Sequence, residues 1–228
     1  MCGGGPVSTH NRFSADDLLL YLVTDTELSA PHSVAEVVEA AVAGGVTMVQ
    51  VRSKTVGGRD LLDLTCQVAR RVGHRVPVLV DDRVDVYLAA RNRGEAVAGV
   101  HVGQSDLPVR DVRAICGPEA VVGLSAATPE EFVALDQQLP TGLVNYAGIG
   151  AVHATQTKPD HPEPLGVEGF ARARSLCSVP AVAIGGVKVQ DITPLMEAGA
   201  DGLAVVSGIC AADDPQEAAR SYREVIGR

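Results

Sequence analysis

Residues 47–54 read TMVQVRSK, an apolar run with two valines that passes directly into a polar and basic segment. Short apolar runs of this kind recur along the chain from Leu20 onward, and most are followed by polar residues. They are typical of strands that are buried on both faces of a parallel sheet. The predicted strands are Leu20–Thr24, Thr47–Arg52, Val76–Val80, Gly99–Val102, Val121–Ser125, Tyr146–Val152, Ala181–Ile184 and Gly202–Val206.

Helical patterns separate these strands. Ser33 followed by Glu36 has the form of a capping box, and Thr128 and Asp214 each precede a proline at the first helical position. Eight strand–helix units in 228 residues predict an α/β fold, a single-domain (β/α)₈ TIM barrel. A doubly wound open sheet is the alternative, although it usually has fewer strands. We expect the barrel to cover residues 18–228 and the Gly-rich, polar residues 1–17 to be disordered or frayed.

The composition excludes several classes of protein. A net charge of −9 argues against a nucleic-acid or acidic-membrane partner, and no apolar stretch has the length of a membrane span. The five cysteines show no metal-ligand spacing and suit a reducing compartment. The first 17 residues lack the features of a signal peptide. We therefore expect a cytoplasmic protein that acts on small molecules and allow for a homo-oligomer.

A basic ladder ends the second predicted strand. Gln50, Arg52 and Lys54 are spaced by two, so on a strand they point the same way, with Gln50 deepest and Lys54 outermost. The planar fork of arginine matches phosphate, and lysine adds a mobile charge. The alternative is a strand end that simply meets solvent.

Carboxylates end the next two strands. Asp81 and Asp82 follow Val80, and Asp106 lies just beyond Val102. Hard oxygen ligands from adjacent loops suit Mg²⁺, which binds one or two carboxylates together with phosphate and water. The pair Asp82 and Asp106 is the predicted metal site. Alternatively, Asp81 and Asp82 cap the helix that starts near Arg83.

Two further segments predict phosphate binding. Hydroxyl groups and a lysine follow the sixth strand at Thr155, Thr157 and Lys158. Barrels often bind phosphate in the loops after strands seven and eight, where this chain has Gly185-Gly186 and Val206-Ser207-Gly208.

His101, alone within a strand, is expected to be a hydrogen-bonded core residue. No Ser-His-Asp, Cys-His or zinc pattern occurs, so acyl transfer is not expected.

In combination, these motifs are similar to those of a known family. The segments that carry the resemblance are QVRSK (50–54), VDDR (80–83), GVHVGQSD (99–106), GLSA (123–126), TQTKP (155–159) and AIGGV (183–187). From about Leu20 to Pro215, the chain resembles thiamine-phosphate synthase. The resemblance implies a (β/α)₈ barrel that joins hydroxymethylpyrimidine pyrophosphate to a thiazole phosphate and releases pyrophosphate.

The resemblance also implies a role for each site residue. Arg52, Lys54 and Lys158 would contact the pyrophosphate, and Asp82 and Asp106 would bind Mg²⁺. The residues expected to face the pyrimidine are Gln50 and Ser125, and those expected to hold the thiazole phosphate are Thr155, Thr157, Gly186, Val206 and Ser207. Arg52, Lys54, Ser125 and Lys158 are the expected catalytic residues.

The chain departs from the family pattern at four positions. The family usually has Asn at Asp81, prolines at Ala151 and Ala154, and an aromatic residue at His153. We expect the extra carboxylate of Asp81 to belong to the substrate site and to favour Mg²⁺ binding. It would also repel the pyrophosphate unless the metal or Arg83 neutralises it, and we expect the effect on the metal to dominate.

Three other functions remain as alternatives. A thiazole tautomerase on the same barrel would need neither Mg²⁺ nor the pyrophosphate contacts. Another phosphate-sugar barrel enzyme, such as an epimerase, would share the Gly185-Gly186 region without this set of cations. A non-catalytic protein that binds thiamine precursors would not need a complete metal site.

Overall fold

The computed structural model describes residues 13–137, 142–155 and 163–227, with the backbone alone for residues 135–137. Its parallel strands pair in chain order, and the first also pairs with the last, so that the sheet closes into a barrel. This confirms the predicted (β/α)₈ barrel, and the alternative prediction of a doubly wound open sheet is wrong. The strands are β1 (Leu20–Val23), β2 (Met48–Val51), β3 (Val78–Asp81), β4 (Gly99–Val102), β5 (Val121–Ala126), β6 (Tyr146–Ile149), β7 (Ala181–Ile184) and β8 (Gly202–Val205).

The third strand lies further along the chain than predicted. It begins at Val78 because Pro77 has no N–H to donate to the sheet, although the carbonyl of Pro77 accepts a hydrogen bond from Val49. It continues through Asp81, which pairs with His101 of β4. A carboxylate predicted to follow the strand is thus part of it.

Helices connect the strands around the outside of the barrel. The predicted capping box is confirmed, since Ser33 and Glu36 exchange backbone-to-side-chain hydrogen bonds. Asp214 caps the last helix by accepting from two backbone N–H groups. The helices are α1 (Val34–Ala43), α2 (Gly58–Val72), α3 (Val84–Asn92), α4 (Val109–Cys116), α5 (Pro129–Gln137), α6 (Gly166–Ser175), α7 (Ile192–Glu197), α8 (Ser207–Cys210) and α9 (Pro215–Ile226), with 3₁₀ turns at Ala15–Leu18 and Val189–Asp191.

The apolar side chains form two layers. The larger layer fills the space between sheet and helices, and it consists mostly of valine, leucine and alanine. The smaller one fills the barrel interior, where the rings of Tyr21 and Tyr146 meet edge to face with centroids 5.8 Å apart. The interior side chains are Leu18, Tyr21, Val23, Met48, Leu79, Val121, Tyr146, Val182 and Ala204.

Residues 13–17 precede the predicted start of the barrel at residue 18 and are among the described ones. Phe13 packs against the interior layer, with its ring 6.0 Å from that of Tyr146, and a 3₁₀ turn runs from Ala15 to Leu18. An apolar ring placed just before β1 covers the amino-terminal end of the barrel. Residues 1–12 lie outside the described ones, so their disorder stays a prediction.

In the described part of the chain, no helix is both long and apolar enough to cross a membrane. The four cysteines found there are buried, namely Cys66, Cys116, Cys177 and Cys210.

Candidate active site

The basic ladder of β2 runs from the barrel interior to its mouth. Gln50 is buried and donates to the hydroxyl of Tyr21 at 2.7 Å, Arg52 has a side chain 18% exposed, and Lys54 is exposed. The backbone of Arg52 is held by Thr24, whose hydroxyl both accepts from its N–H and donates to its carbonyl. Two adjacent strand ends thus fix where the guanidinium emerges.

Arg52 lies between two carboxylates. Its Nε is 3.3 Å from Oδ2 of Asp81, and its Nη1 is 3.6 Å from Oδ2 of Asp25. The second distance is too long for a hydrogen bond, and no other group of the described residues bonds to the buried Nη1. A buried guanidinium N–H without a hydrogen-bond partner is costly unless a ligand accepts from it. The arrangement suits an anion with several oxygens.

Asp25 is a site residue that the sequence reasoning missed. It is buried at the end of β1, and its Oδ1 accepts from the N–H groups of Glu27 and Leu28. The other candidate site residues were chosen because they are polar residues directly after a buried strand, and Thr24-Asp25 meets the same condition. Applied to every strand, that condition would have found it.

The carboxylates after β3 and β4 crowd one another. Burial and the charge of Asp82 raise the pKa of Asp81 to about 8, against the opposing pull of Arg52, and Asp106 adds to the rise. Arg83, considered as a neutralising partner, instead pairs with Asp85 at 2.6 Å on the surface. The N-cap position of α3 is occupied by Arg83, whose side chain makes no capping hydrogen bond, so neither Asp81 nor Asp82 is the N-cap residue of that helix.

Local backbone contacts hold the two predicted metal ligands. Asp82 has a positive φ of 57° and its N–H donates to the carbonyl of His101, which ties the β3 and β4 loops together. Asp106 accepts from the N–H of Gly103 at 2.8 Å. Within the described ranges, no three His, Cys, Asp or Glu side chains form a ready-made metal cluster. Two carboxylates nonetheless fit Mg²⁺, which takes its other ligands from phosphate and water.

We expect Asp81→Asn to stabilise the metal-free protein near neutral pH. Between the ordinary aspartate pKa of 3.8 and the folded pKa of about 8, folded Asp81 holds a proton that the unfolded chain has released. A rise in pH through this window therefore favours unfolding, and the asparagine variant escapes that loss. The stability difference between variant and wild type should be greatest near pH 8 and vanish toward pH 4.

Urea unfolding of both proteins without divalent metal measures this difference. Asp213→Asn, at an exposed position, is the control. Parallel stability profiles for Asp81→Asn and wild type would contradict the assignment of the raised pKa.

A cavity of about 840 Å³ opens beside the ladder. It brings together Lys54 and three of the predicted phosphate-binding residues, and Asp25 links its wall to Arg52. Val206 immediately precedes α8 and packs partly against the barrel interior. Thr157 and Lys158 lie outside the described residues. The lining residues most relevant to an anion are Lys54, His153, Thr155, Gly186, Lys188 and Ser207.

The β6 and β7 loops form one wall of this cavity. Beyond the strand ends, Val152 and His153 donate their N–H groups to the carbonyls of Ile184 and Gly185 at 2.9 Å. His153, where the family pattern has an aromatic residue, has its Nε2 3.2 Å from a carboxylate oxygen of Asp191. Gly186 has a φ of 66°, and a Cβ there would lie 2.8 Å from that of His153.

Gly186→Ala is expected to weaken binding of a phosphate substrate. The new methyl group would push the β6 loop away, in addition to a backbone penalty of about 1–2 kcal/mol at positive φ. Gly94→Ala is a matched control, because Gly94 has a φ of 81° and open space around its Cβ position. Both variants should lose the stability that the positive φ costs, Gly186→Ala more because of its clash with His153, whereas only Gly186→Ala should raise the KM for the phosphate substrate. An unchanged KM would separate Gly186 from the binding site.

Ser125 is held from two directions. Its hydroxyl is 2.9 Å from Nε2 of His101, and its carbonyl accepts from the side chain of Gln104 at 2.7 Å. His101 is buried and hydrogen-bonded, as predicted, but it also contacts a predicted substrate-binding residue. The sequence reasoning missed this link because it assigned His101 to the core alone.

Known proteins match this chain over nearly its full length. It is 44% identical to the thiamine-phosphate synthase of Azorhizobium caulinodans over 92% of this chain and 95% of that one. It is 42% identical to that of Albidiferax ferrireducens over 99% of both chains. Among solved structures, a thiamine phosphate pyrophosphorylase from Pyrococcus furiosus is similar with a TM-score of 0.80 and 29% identity, covering 93% of this chain and 96% of that one.

A more distant likeness concerns the fold alone. A 3-hexulose-6-phosphate synthase superposes with a TM-score of 0.64 at 19% identity, covering 92% of this chain and 100% of that one. The family model described as thiamine monophosphate synthase matches residues 20–209, which include the barrel strands and every predicted site residue. The chain belongs to the thiamine monophosphate synthase family.

Proposed function

We propose that this protein is a thiamine-phosphate synthase, a transferase that couples 4-amino-2-methyl-5-hydroxymethylpyrimidine pyrophosphate to thiazole phosphate. Family membership supports the reaction. The observation that carries the proposal is the buried guanidinium of Arg52, whose Nη1 lacks a hydrogen-bond partner in the described part of the chain. Such a group at a barrel mouth suits a pyrophosphate.

The two anions of the substrates take neighbouring parts of the mouth. Arg52, Lys54 and Lys158 bind the pyrophosphate, which approaches from the side of Asp81. The thiazole phosphate occupies the cavity that Lys54 also lines. Its proposed contacts are Thr155, Thr157, Gly186, Val206 and Ser207.

Mg²⁺ is the proposed metal, held by Asp82 and Asp106. Asp82 and Asp106 both act on Asp81 as like charges, and this supports a cation at this place, because a divalent ion would relieve the repulsion. When bound, the ion would neutralise part of the charge that develops on the departing pyrophosphate.

The chemistry breaks one bond and forms another. The C–O bond between the pyrimidine methylene group and the pyrophosphate breaks, and both electrons leave with the pyrophosphate. The lone pair of the thiazole nitrogen then forms the new C–N bond. No proton has to be removed from the nucleophile, so the site needs no strong general base. Arg52 and Lys54 stabilise the leaving charge, while Gln50 and Ser125 orient the pyrimidine.

The decisive experiment is an assay of the purified protein with both substrates, with and without Mg²⁺. We expect thiamine phosphate and pyrophosphate in equal amounts, and a loss of turnover when the metal is chelated. A thiazole tautomerase would instead convert its thiazole substrate without any pyrimidine. A non-catalytic binding protein would bind both compounds and release no pyrophosphate.

The cellular setting is part of the same proposal. An enzyme of cofactor biosynthesis with this charge and these thiols suits the cytoplasm, and a homo-oligomer is compatible with it.

A further inference from the structure

A continuous chain of hydrogen bonds crosses the barrel interior from Gln50 to Ser125. Gln50 Nε2 donates to the hydroxyl of Tyr21 at 2.7 Å, and that hydroxyl is 2.8 Å from the hydroxyl of Tyr146. The Tyr146 hydroxyl is 2.8 Å from Nδ1 of His101, whose Nε2 is 2.9 Å from Oγ of Ser125. The chain thus joins the two side chains that the proposed function assigns to the pyrimidine.

The hydrogen-bond chain is buried, and the backbone makes room for it. Gln50, Tyr21, Tyr146 and His101 are at most 7% exposed. A Cβ at Gly123 would lie 2.4 Å from Nδ1 of His101 and 2.4 Å from the Tyr146 oxygen. Only glycine on β5 leaves space for this hydrogen bond. Polar groups placed this deep are expensive unless each is bonded, so every member of the hydrogen-bond chain needs its partner.

The requirement that every buried polar group finds a partner gives the hydrogen-bond chain one direction. Burial raises the pKa of both phenols, so each keeps its one proton. Because Tyr21 accepts from Gln50, its proton goes to Tyr146, and the proton of Tyr146 goes to Nδ1 of His101. A neutral imidazole then carries its proton on Nε2 and donates it to Ser125. Ser125 keeps its hydroxyl proton for a ligand, and Gln50 presents its amide oxygen.

We propose that this buried chain sets the donor and acceptor pattern with which Gln50 and Ser125 read the pyrimidine, and so selects an aminopyrimidine over its oxo analogue. The inference rests on the proposed function. The amino group donates to Gln50, and a ring nitrogen accepts from Ser125. The oxo analogue in its lactam form offers a carbonyl and a ring N–H, the opposite pattern. Tyr21, Tyr146 and His101 act as positioning residues.

Nitrogen NMR of histidine in the ligand-free protein tests the direction of the hydrogen-bond chain. In the wild type, His101 should be the tautomer protonated at Nε2. Tyr146→Phe removes the donor to Nδ1 and should shift that population. A wild-type His101 protonated at Nδ1, or a tautomer that does not respond to Tyr146→Phe, would overturn the inference.

Substrate discrimination tests the proposed role of the hydrogen-bond chain in selecting the aminopyrimidine. The ratio of kcat/KM for the amino substrate to that for the oxo analogue should fall about tenfold or more in Tyr21→Phe and Tyr146→Phe, which corresponds to about 1.4 kcal/mol. Tyr87→Phe is the matched control, because Tyr87 is equally buried but lies on α3, outside the barrel interior, where its hydroxyl accepts from Arg91. Its ratio should equal that of the wild type.

The outcomes separate this inference from the proposed function. A wild type that cannot use the aminopyrimidine overturns the function and the selection together, while the tautomer result still decides whether the chain has its inferred direction. Normal coupling activity with an unchanged ratio in both tyrosine variants overturns the selection alone. Equal losses for both pyrimidines would assign the tyrosines to stability, and that result would likewise overturn the selection.

Discussion

Asp106→Ala is expected to reduce turnover about a hundredfold or more while the barrel stays folded, a loss of about 2.7 kcal/mol of transition-state stabilisation. The proposed metal would lose one of its two protein ligands, and the departing pyrophosphate would be less well neutralised. Asp106 also accepts from the N–H of Gly103. Asp106→Asn keeps an oxygen for that bond, so it separates the loss of charge from the loss of the local contact.

The companion variant at Asp82 should be asparagine rather than alanine. Asp82 has a φ of 57°, where asparagine is tolerated and alanine is strained. Rates measured against Mg²⁺ concentration, with unfolding curves for each variant, check the prediction. Asp63→Asn, on the exposed face of α2, should behave as the wild type. Near-normal activity of Asp82→Asn and Asp106→Asn at saturating Mg²⁺ would remove these residues from the metal site.

Arg52→Lys is expected to lower kcat/KM by about tenfold or more even though the charge is kept, a loss of about 1.4 kcal/mol. Lysine lacks the planar fork with which arginine directs a pair of N–H groups toward a phosphate while its other N–H groups face Asp81 and Asp25. Arg52→Met should cost more, because it leaves the buried carboxylate of Asp25 without its cation and removes the positive charge that opposes the rise in the pKa of Asp81. The expected loss of stability is about 3–5 kcal/mol at neutral pH.

Steady-state kinetics and urea unfolding of the same samples separate the loss of kcat/KM from the loss of stability. Arg71→Lys, in a surface ion pair with Glu39, is the control and should change neither. If Arg52→Lys retained wild-type kcat/KM, the guanidinium would act only as a diffuse charge, and the bidentate contact with pyrophosphate would be wrong.

Much of the architecture could be predicted because its causes are local. Short apolar runs alternate with capped helical segments, and eight such units in one chain close most simply into a barrel. Since the carboxyl ends of parallel strands share one face, polar residues after each strand were expected at a common mouth. The spacing of Gln50, Arg52 and Lys54 similarly predicted the decrease in burial along the ladder.

The partners of charged residues could not be predicted in this way. Arg83 lies two positions after Asp81 and was considered, beside the metal, as a group that could neutralise it. It pairs with Asp85 instead, while Arg52 from another strand faces Asp81. Asp25 was missed although it lies within the same charge cluster. Which charges meet depends on how adjacent strands align, and the pairing of β2 with β3 is set by the closed sheet.

The sequence by itself determined the strands, the helix caps, the face on which the site lies and the family to which the chain belongs. Each follows from patterns within a few residues or from motifs in a fixed order. Only the tertiary structure decided that Tyr21 meets Tyr146, 125 positions away, and that both join His101 to Gln50. The physical reason is that inward-facing side chains from distant strands become neighbours only when the barrel closes, and burial then forces each polar group to find a partner.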